Sequence, residues 1–252
     1  MVFVLTTEGY INAINPALRL HKFKAFSGCD KPNPHISIDL IEKNKMFEIT
    51  FLNGNSITLP DSILIKDSDG DYREIDKLKL GAKLAFTRTP DNIVERLIKR
   101  PEYISILNDL AYLIINNGKL RKVDYDATYC DITLNWSKEK TEEFIFSLQS
   151  IGIYIKVKVS LSKNDSFILT ADSSTLNFIE DNKSLINPSN IKMLEDMKAI
   201  GITNIDRERE DCKIVKHVHK SKPQLFLKTK SGVNNWEYIV IYGLQCKSNL
   251  ID

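Results

Sequence analysis

Cysteine is scarce and scattered. The four thiols, Cys29, Cys130, Cys212 and Cys246, stand far apart and form no CxxC pair. That spacing points away from a zinc site and from a disulfide framework, so a reduced intracellular setting is expected. Histidine is equally sparse. His21 and His35 are isolated, and His217 and His219 alternate without an obvious third ligand, as surface histidines do. No apolar run approaches the length of a membrane span, which argues against a membrane partner. The opening MVFVLTTEGY has neither the basic start nor the long apolar core of a secretion signal. One sign of charge does not dominate either: 35 Lys and Arg stand against 33 Asp and Glu, a net +2. Any basic stripe that attracts nucleic acid therefore has to be local. There is no low-complexity segment.

What is present is enough for a packed core: 42% of residues are hydrophobic and 27% charged, in 252 residues. The length allows one large domain or two smaller ones. Residues 1–92 read as β-rich. Val2–Thr6 ends at a Glu8-Gly9 turn and Tyr10–Ile14 follows; Pro32 and Pro34 then mark a loop. His35–Ile41, Met46–Leu52 and Ser56–Leu59 are strand-like, with a hairpin signal at Asn53-Gly54. Ser62–Lys66 and Tyr72–Ile75 pair around Asp69-Gly70.

The middle of the chain is different. Pro101 suits a first helical position, and Ile104, Leu107, Ala111 and Ile114 recur at helical spacing. Asn116, Asn117 and Gly118 read as a C-terminal cap in left-handed backbone. Then come strands Lys119–Val123 and Thr128–Asn135, a helix Lys138–Ile151, strands Tyr154–Leu161 and Phe167–Thr170, and a helix Ser173–Glu180. After residue 208 the chain returns to strands: Cys212–His219, Gln224–Thr229 and Trp236–Cys246.

The stretch LAYLIINNG, Leu110 to Gly118, aligns without a gap with the LAGLIDADG motif. With the element order αββαββα it resembles one repeat of a LAGLIDADG homing endonuclease. The segments VLTTEGYINAI, FLNGNSITLPDSILI and YREIDKLKLGAKLAF resemble the first half of a Hint domain, the fold of inteins. WEYIVIYGLQC resembles its closing strand. The expected fold is therefore α+β: a β-rich Hint-like domain formed by residues 1–92 and 208–252, with a LAGLIDADG-like insert at 93–207.

The resemblance also says which positions should carry chemistry. An intein's first nucleophile would precede the match, which begins at Met1-Val2. The histidine of its Thr-x-x-His motif falls on Asp61 or Ser62, and its terminal His-Asn pair falls on Lys247-Ser248. None of these is a natural substitute. The family's metal-binding acid falls on Asn117, a neutral amide where magnesium wants a charged oxygen. No cofactor is expected, or magnesium if nuclease activity persists. Tyr112 replaces the motif's first glycine. Pro188–Ile200 could be the remnant of a second motif helix. With one repeat, cutting both strands would need a homodimer.

DNA binding needs charge and not catalysis. Alternation places Tyr154, Lys156 and Lys158 on one sheet face, joined by Lys119 and Arg121 and by Tyr129, Asp131 and Thr133. In the family this face enters the major groove; the plain alternative is a solvated sheet face. A second basic stretch, residues 213–230, holds Lys213, Lys216, Lys220, Lys222, Lys228 and Lys230 and no acid. The expected function is a free-standing intein- or homing-endonuclease-like protein, cytoplasmic or virion-associated and not secreted. It would bind DNA and have lost splicing and double-strand cleavage. If active as an enzyme, it would be a LAGLIDADG-type endonuclease. The alternative is a structural or interaction protein reusing the scaffold, for instance in a viral particle or nucleoprotein complex, as a homodimer or larger assembly.

Overall fold

The structure is a computed structural model. It describes residues 1–14, 25–26, 37–43, 45–52, 56–124, 127–159, 166–199, 202, 214–220, 224–230 and 236–249. The chain divides into two compact units, Met1–Ile93 with Glu208–Asp252, and Val94–Arg207. It is mixed α+β, with helices and several sheets.

In chain order the elements are β1 (Phe3–Thr6), β2 (Gly9–Asn12), β3 (Ser37–Lys43), β4 (Met46–Phe51), β5 (Ser56–Pro60), β6 (Ile63–Lys66) and β7 (Tyr72–Glu74). They continue with α1 (Asp91–Leu97), α2 (Pro101–Asn117), β8 (Gly118–Asp124), β9 (Ala127–Leu134), α3 (Lys138–Ser150), β10 (Lys156–Val159), β11 (Phe167–Ala171), α4 (Ser173–Asp181) and α5 (Pro188–Ala199). The last are β12 (Ile214–Lys220), β13 (Gln224–Lys230), β14 (Trp236–Ile241) and β15 (Leu244–Asn249).

In the first unit a six-stranded sheet runs β2-β1-β14-β15-β6-β7, and two smaller sheets run β12-β4-β5 and β13-β3. All its pairings are antiparallel. Val4, Ile49, Leu59, Ile65, Ile75, Leu244 and Cys246 are buried in one apolar cluster. The β6–β7 turn is organised by Asp67. Its carboxylate accepts from the Asp69 and Asp71 amides at 3.0 and 2.9 Å and from Arg73. The Arg73 guanidinium holds the Asp67 carboxyl below the usual carboxylate range. One strand expected at Trp236–Cys246 is in fact the hairpin β14–β15. Tyr242 and Gly243 both take positive φ, 53° and 81°, as a two-residue hairpin turn requires.

In the second unit an antiparallel sheet runs β10-β11-β9-β8. Its inner face buries Cys130, Ile132, Leu134, Val157, Phe167, Leu169 and Ala171. Against this side lies α2, whose Tyr103, Leu107, Leu110, Ala111, Leu113 and Ile114 are buried; α3 and α5 pack on it as well. Helix starts follow local chemistry: Pro101 opens α2, Ser137 accepts from the Lys140 amide at 3.2 Å, and Asp172 from the Thr175 amide at 3.0 Å. Gly118 closes α2 in extended backbone, φ −71° and ψ 133°, not in the left-handed conformation the sequence suggests. No helix among the described residues is long and apolar enough to cross a membrane.

Candidate nucleic-acid interface

The outer face of the four-stranded sheet follows from register. Lys119 lies opposite Asp131, Arg121 opposite Tyr129, Asp131 opposite Thr170, Thr133 opposite Ile168, and Lys156 and Lys158 opposite Thr170 and Ile168. These side chains share one face, because residues two apart on a strand point the same way and cross-strand partners point together. Lys119, Thr133 and Lys158 are exposed; Arg121, Tyr129, Asp131, Lys156 and Ile168 are half-buried; Thr170 is fully buried.

The cations sit on the two outer strands, Lys119 and Arg121 on β8, Lys156 and Lys158 on β10. Three strand spacings of about 4.8 Å separate those rims by roughly 14 Å. Between them lies a polar centre. There Asp131 is not a free carboxylate. Arg121 donates to it through Nε, and through Nη2 at 3.3 Å, and Thr170 donates its hydroxyl at 2.7 Å. The Arg121 guanidinium also lies over the Tyr129 ring, 5.6 Å from its centre. Asp131 is thus on the expected face but tied to Arg121 and Thr170. The sheet brings Lys119, Arg121, Tyr129, Lys156 and Lys158 together. Tyr154, expected within the strand, precedes β10 and is half-buried. Gly152 explains the late start: at φ 84° it turns the chain out of α3 before the sheet is reached.

The second basic stretch is divided between two sheets. β12 pairs with β4 and β13 with β3. Lys216 and Lys220 lie opposite Thr50 and Met46, and Lys228 lies opposite Asp39. The segment carries no acid of its own, yet acids stand across the ladder. Lys213 and Lys222 lie outside the described residues.

Asn117 is exposed at the last position of α2. Neighbouring Asn116 spends its amide N–H on the Tyr112 carbonyl at 2.9 Å. The neutral amide oxygen of Asn117 brings no charge to magnesium, which is usually anchored by one or two carboxylates. Among the described residues no three His, Cys, Asp or Glu side chains gather as a metal site. The stripe of α2 left outside is Glu102, Ser105, Asp109, Tyr112 and Asn116, with Tyr112 57% exposed.

Two of the splicing-type positions become neighbours. Ser248 lies opposite Ile63, the residue after Ser62, while Lys247 lies opposite Leu64 and its ammonium is 5.9 Å from the centre of the Tyr72 ring. Asp61 and Ser62 form the half-buried β5–β6 turn, where the Asp61 amide donates to the Lys45 carbonyl at 3.1 Å. Met1 is elsewhere on the sheet. Its carbonyl accepts from the Tyr242 hydroxyl at the β14–β15 turn, and Ser248 lies about 14 Å along β15 from that turn.

Sequence reasoning missed the Asp131 brace and the role of Thr170 within it. Asp131 lies in the alternation of β9 and Thr170 is the one polar residue of β11, but only the register makes them partners. No protein-family model matches the chain, and no curated protein matches it.

Proposed function

We propose that this is a DNA-binding protein of Hint and LAGLIDADG-like ancestry that engages duplex DNA through the outer face of the β10-β11-β9-β8 sheet. It performs neither splicing nor double-strand cleavage. The observation that carries the reading is the pair of cationic rims, Lys119/Arg121 and Lys156/Lys158, on one sheet face where Lys119, Thr133 and Lys158 are exposed. Their separation of roughly 14 Å compares with a major groove about 12 Å wide, so both walls of phosphates come within reach of long side chains. Thr133 and Ile168 between the rims offer the small polar and apolar contacts that base edges accept.

The binding is mainly electrostatic. Each phosphate neutralised contributes about 0.9 to the slope of log affinity against log salt. Replacing Lys156 and Lys158 by Ala should lower that slope by roughly two and weaken all sequences alike. Titration of a labelled duplex at several salt concentrations measures it; an unchanged slope removes these lysines from the interface. Absence of binding by the unmodified chain, together with a large assembly on sizing, would favour the structural or interaction protein instead.

The loss of catalysis rests on donor chemistry. Asn117 brings no charge to a metal, and Asp61, Ser62, Lys247 and Ser248 lack the imidazole and amide that the splicing steps use. Incubation with magnesium and a DNA library should leave both the DNA and the intact mass of the protein unchanged. Site-specific cuts, or a backbone fragment at one position, would refute this.

A further inference from the structure

Arg121 differs from the lysines around it because its direction is fixed. A guanidinium carries five N–H groups in a rigid plane. Asp131 takes the Nε–H and one Nη2–H, the latter at 3.3 Å. The carboxylate cannot swing, since its Oδ1 also accepts from Thr170 at 2.7 Å, and Thr170 is fully buried on the neighbouring strand. The Tyr129 ring, 5.6 Å from Cζ, limits rotation of the guanidinium plane. What remains outward is the other edge of the fork. Lys119 and Lys158 are exposed ammonium groups, compact charges on flexible stems with no comparable brace among the described residues.

A carboxylate in the middle of a cationic face opposes the approach of phosphates. It lowers affinity for any DNA, and besides satisfying the buried Thr170 hydroxyl it orients the guanidinium. From this geometry we infer that Arg121 reads a guanine in the major groove and that Asp131 is its positioning residue. The free edge of a braced guanidinium presents two parallel N–H groups, which match the O6 and N7 acceptors of guanine; no other base offers two acceptors side by side in that groove. The inference rests on the DNA-binding reading above and adds to it one base and one residue pair.

The test compares three proteins: the unmodified chain, Arg121→Lys and Asp131→Asn. Duplexes are first selected from a randomised library with the unmodified chain. Each guanine of the preferred duplex is then replaced in turn and affinities are measured. For the unmodified chain one guanine should be worth roughly five- to 150-fold, the range of a good bidentate contact. Arg121→Lys keeps the charge and should keep the salt slope, but lose that preference. Asp131→Asn removes a negative charge while preserving shape. It should bind unrelated duplexes more tightly and discriminate less. A merely structural ion pair would leave guanine discrimination unchanged in Asp131→Asn, even though loss of the negative charge raises affinity for every duplex. Thermal melting of each variant confirms folding, and Arg121→Lys, at a half-exposed position, supplies the reading if Asp131→Asn fails to fold. Full guanine preference in Arg121→Lys overturns the inference. So does binding by the unmodified chain with no guanine preference, which leaves the DNA reading standing. No binding to any duplex overturns both.

Discussion

Gly118 is fixed by contact and not by backbone freedom. Its φ of −71° suits any residue. A Cβ there, however, would lie 2.2 Å from the Ile114 carbonyl oxygen and 2.5 Å from the Cys130 sulfur. The carbonyl belongs to the helix backbone and cannot move aside. Cys130 is fully buried, and burial, with the Asp131 carboxylate second, pushes its thiol up to about 11, so the neutral thiol packs against the turn. Gly118→Ala should therefore destabilise the second unit by about 1–3 kcal/mol, as overpacking does. Urea unfolding followed at the helical signal measures it; an unshifted midpoint would mean that α2 and β9 do not approach this closely in solution. The letters Asn-Asn-Gly are compatible with either explanation, which is why the sequence pointed to the wrong one. The Arg121–Asp131 contact was hidden for a related reason. It is a diagonal across the β8–β9 ladder, since Lys119 is the direct partner of Asp131. A long side chain reaches a diagonal neighbour as readily as a direct one, so pattern alone leaves the choice open.

Among elements, the legible ones are those whose apolar period is long. α2 and α3 follow the 3.6-residue period over three or more turns, β9 alternates cleanly and β11 is a short, mostly apolar run, so their expected and observed bounds differ by a residue or so. What escaped is what depends on neighbours. α1 holds only seven residues, too few for periodicity to separate it from a loop. The β14–β15 hairpin escaped because its turn is Tyr242-Gly243, and a tyrosine at φ 53° is not a usual turn residue. Tertiary contact holds it there. The tyrosine hydroxyl donates to Met1 and its ring lies 6.4 Å from that of Phe3, while Phe86 packs so closely on Gly243 that a Cβ would fall 2.1 Å from the ring. Asn108 is the polar counterpart. Asparagine is a poor helix former, and here it interrupts an apolar stripe. Its amide donates to Ile104 and Leu185 at 2.9 and 2.8 Å and accepts from the Asn187 amide at 2.8 Å. That clasp fastens the start of α5 to α2. A solitary Asn between Ile104, Leu107 and Ala111 was the available signal.

At the scale of the molecule, the even charge balance is uninformative, and the interface reading depends on where four cations fall on one sheet. The sheet order of the first unit is more telling. β14 and β15, from the end of the sequence, are its two central strands, between β1 and β6 from the beginning. Without them, residues 1–93 keep two separate pieces of that sheet, the β1–β2 and β6–β7 hairpins, and β4 loses its partner β12. An isolated two-stranded hairpin is at best marginally stable in water. The apolar cluster would also lose Ile214, Ile241, Leu244 and Cys246, all buried. Residues 94–207 are in the opposite position, because the partners of their sheet and the helices packed on it lie within that same stretch. Expressed alone, 94–207 should show a cooperative thermal transition with mixed helix and strand signal, whereas 1–93 should show none. Joining 1–93 to 208–252 by a short flexible linker should restore cooperative unfolding. Cooperative, native-like unfolding of 1–93 on its own would mean that the closing strands are dispensable, and that the central placement of β14 and β15 is not what holds the first unit together.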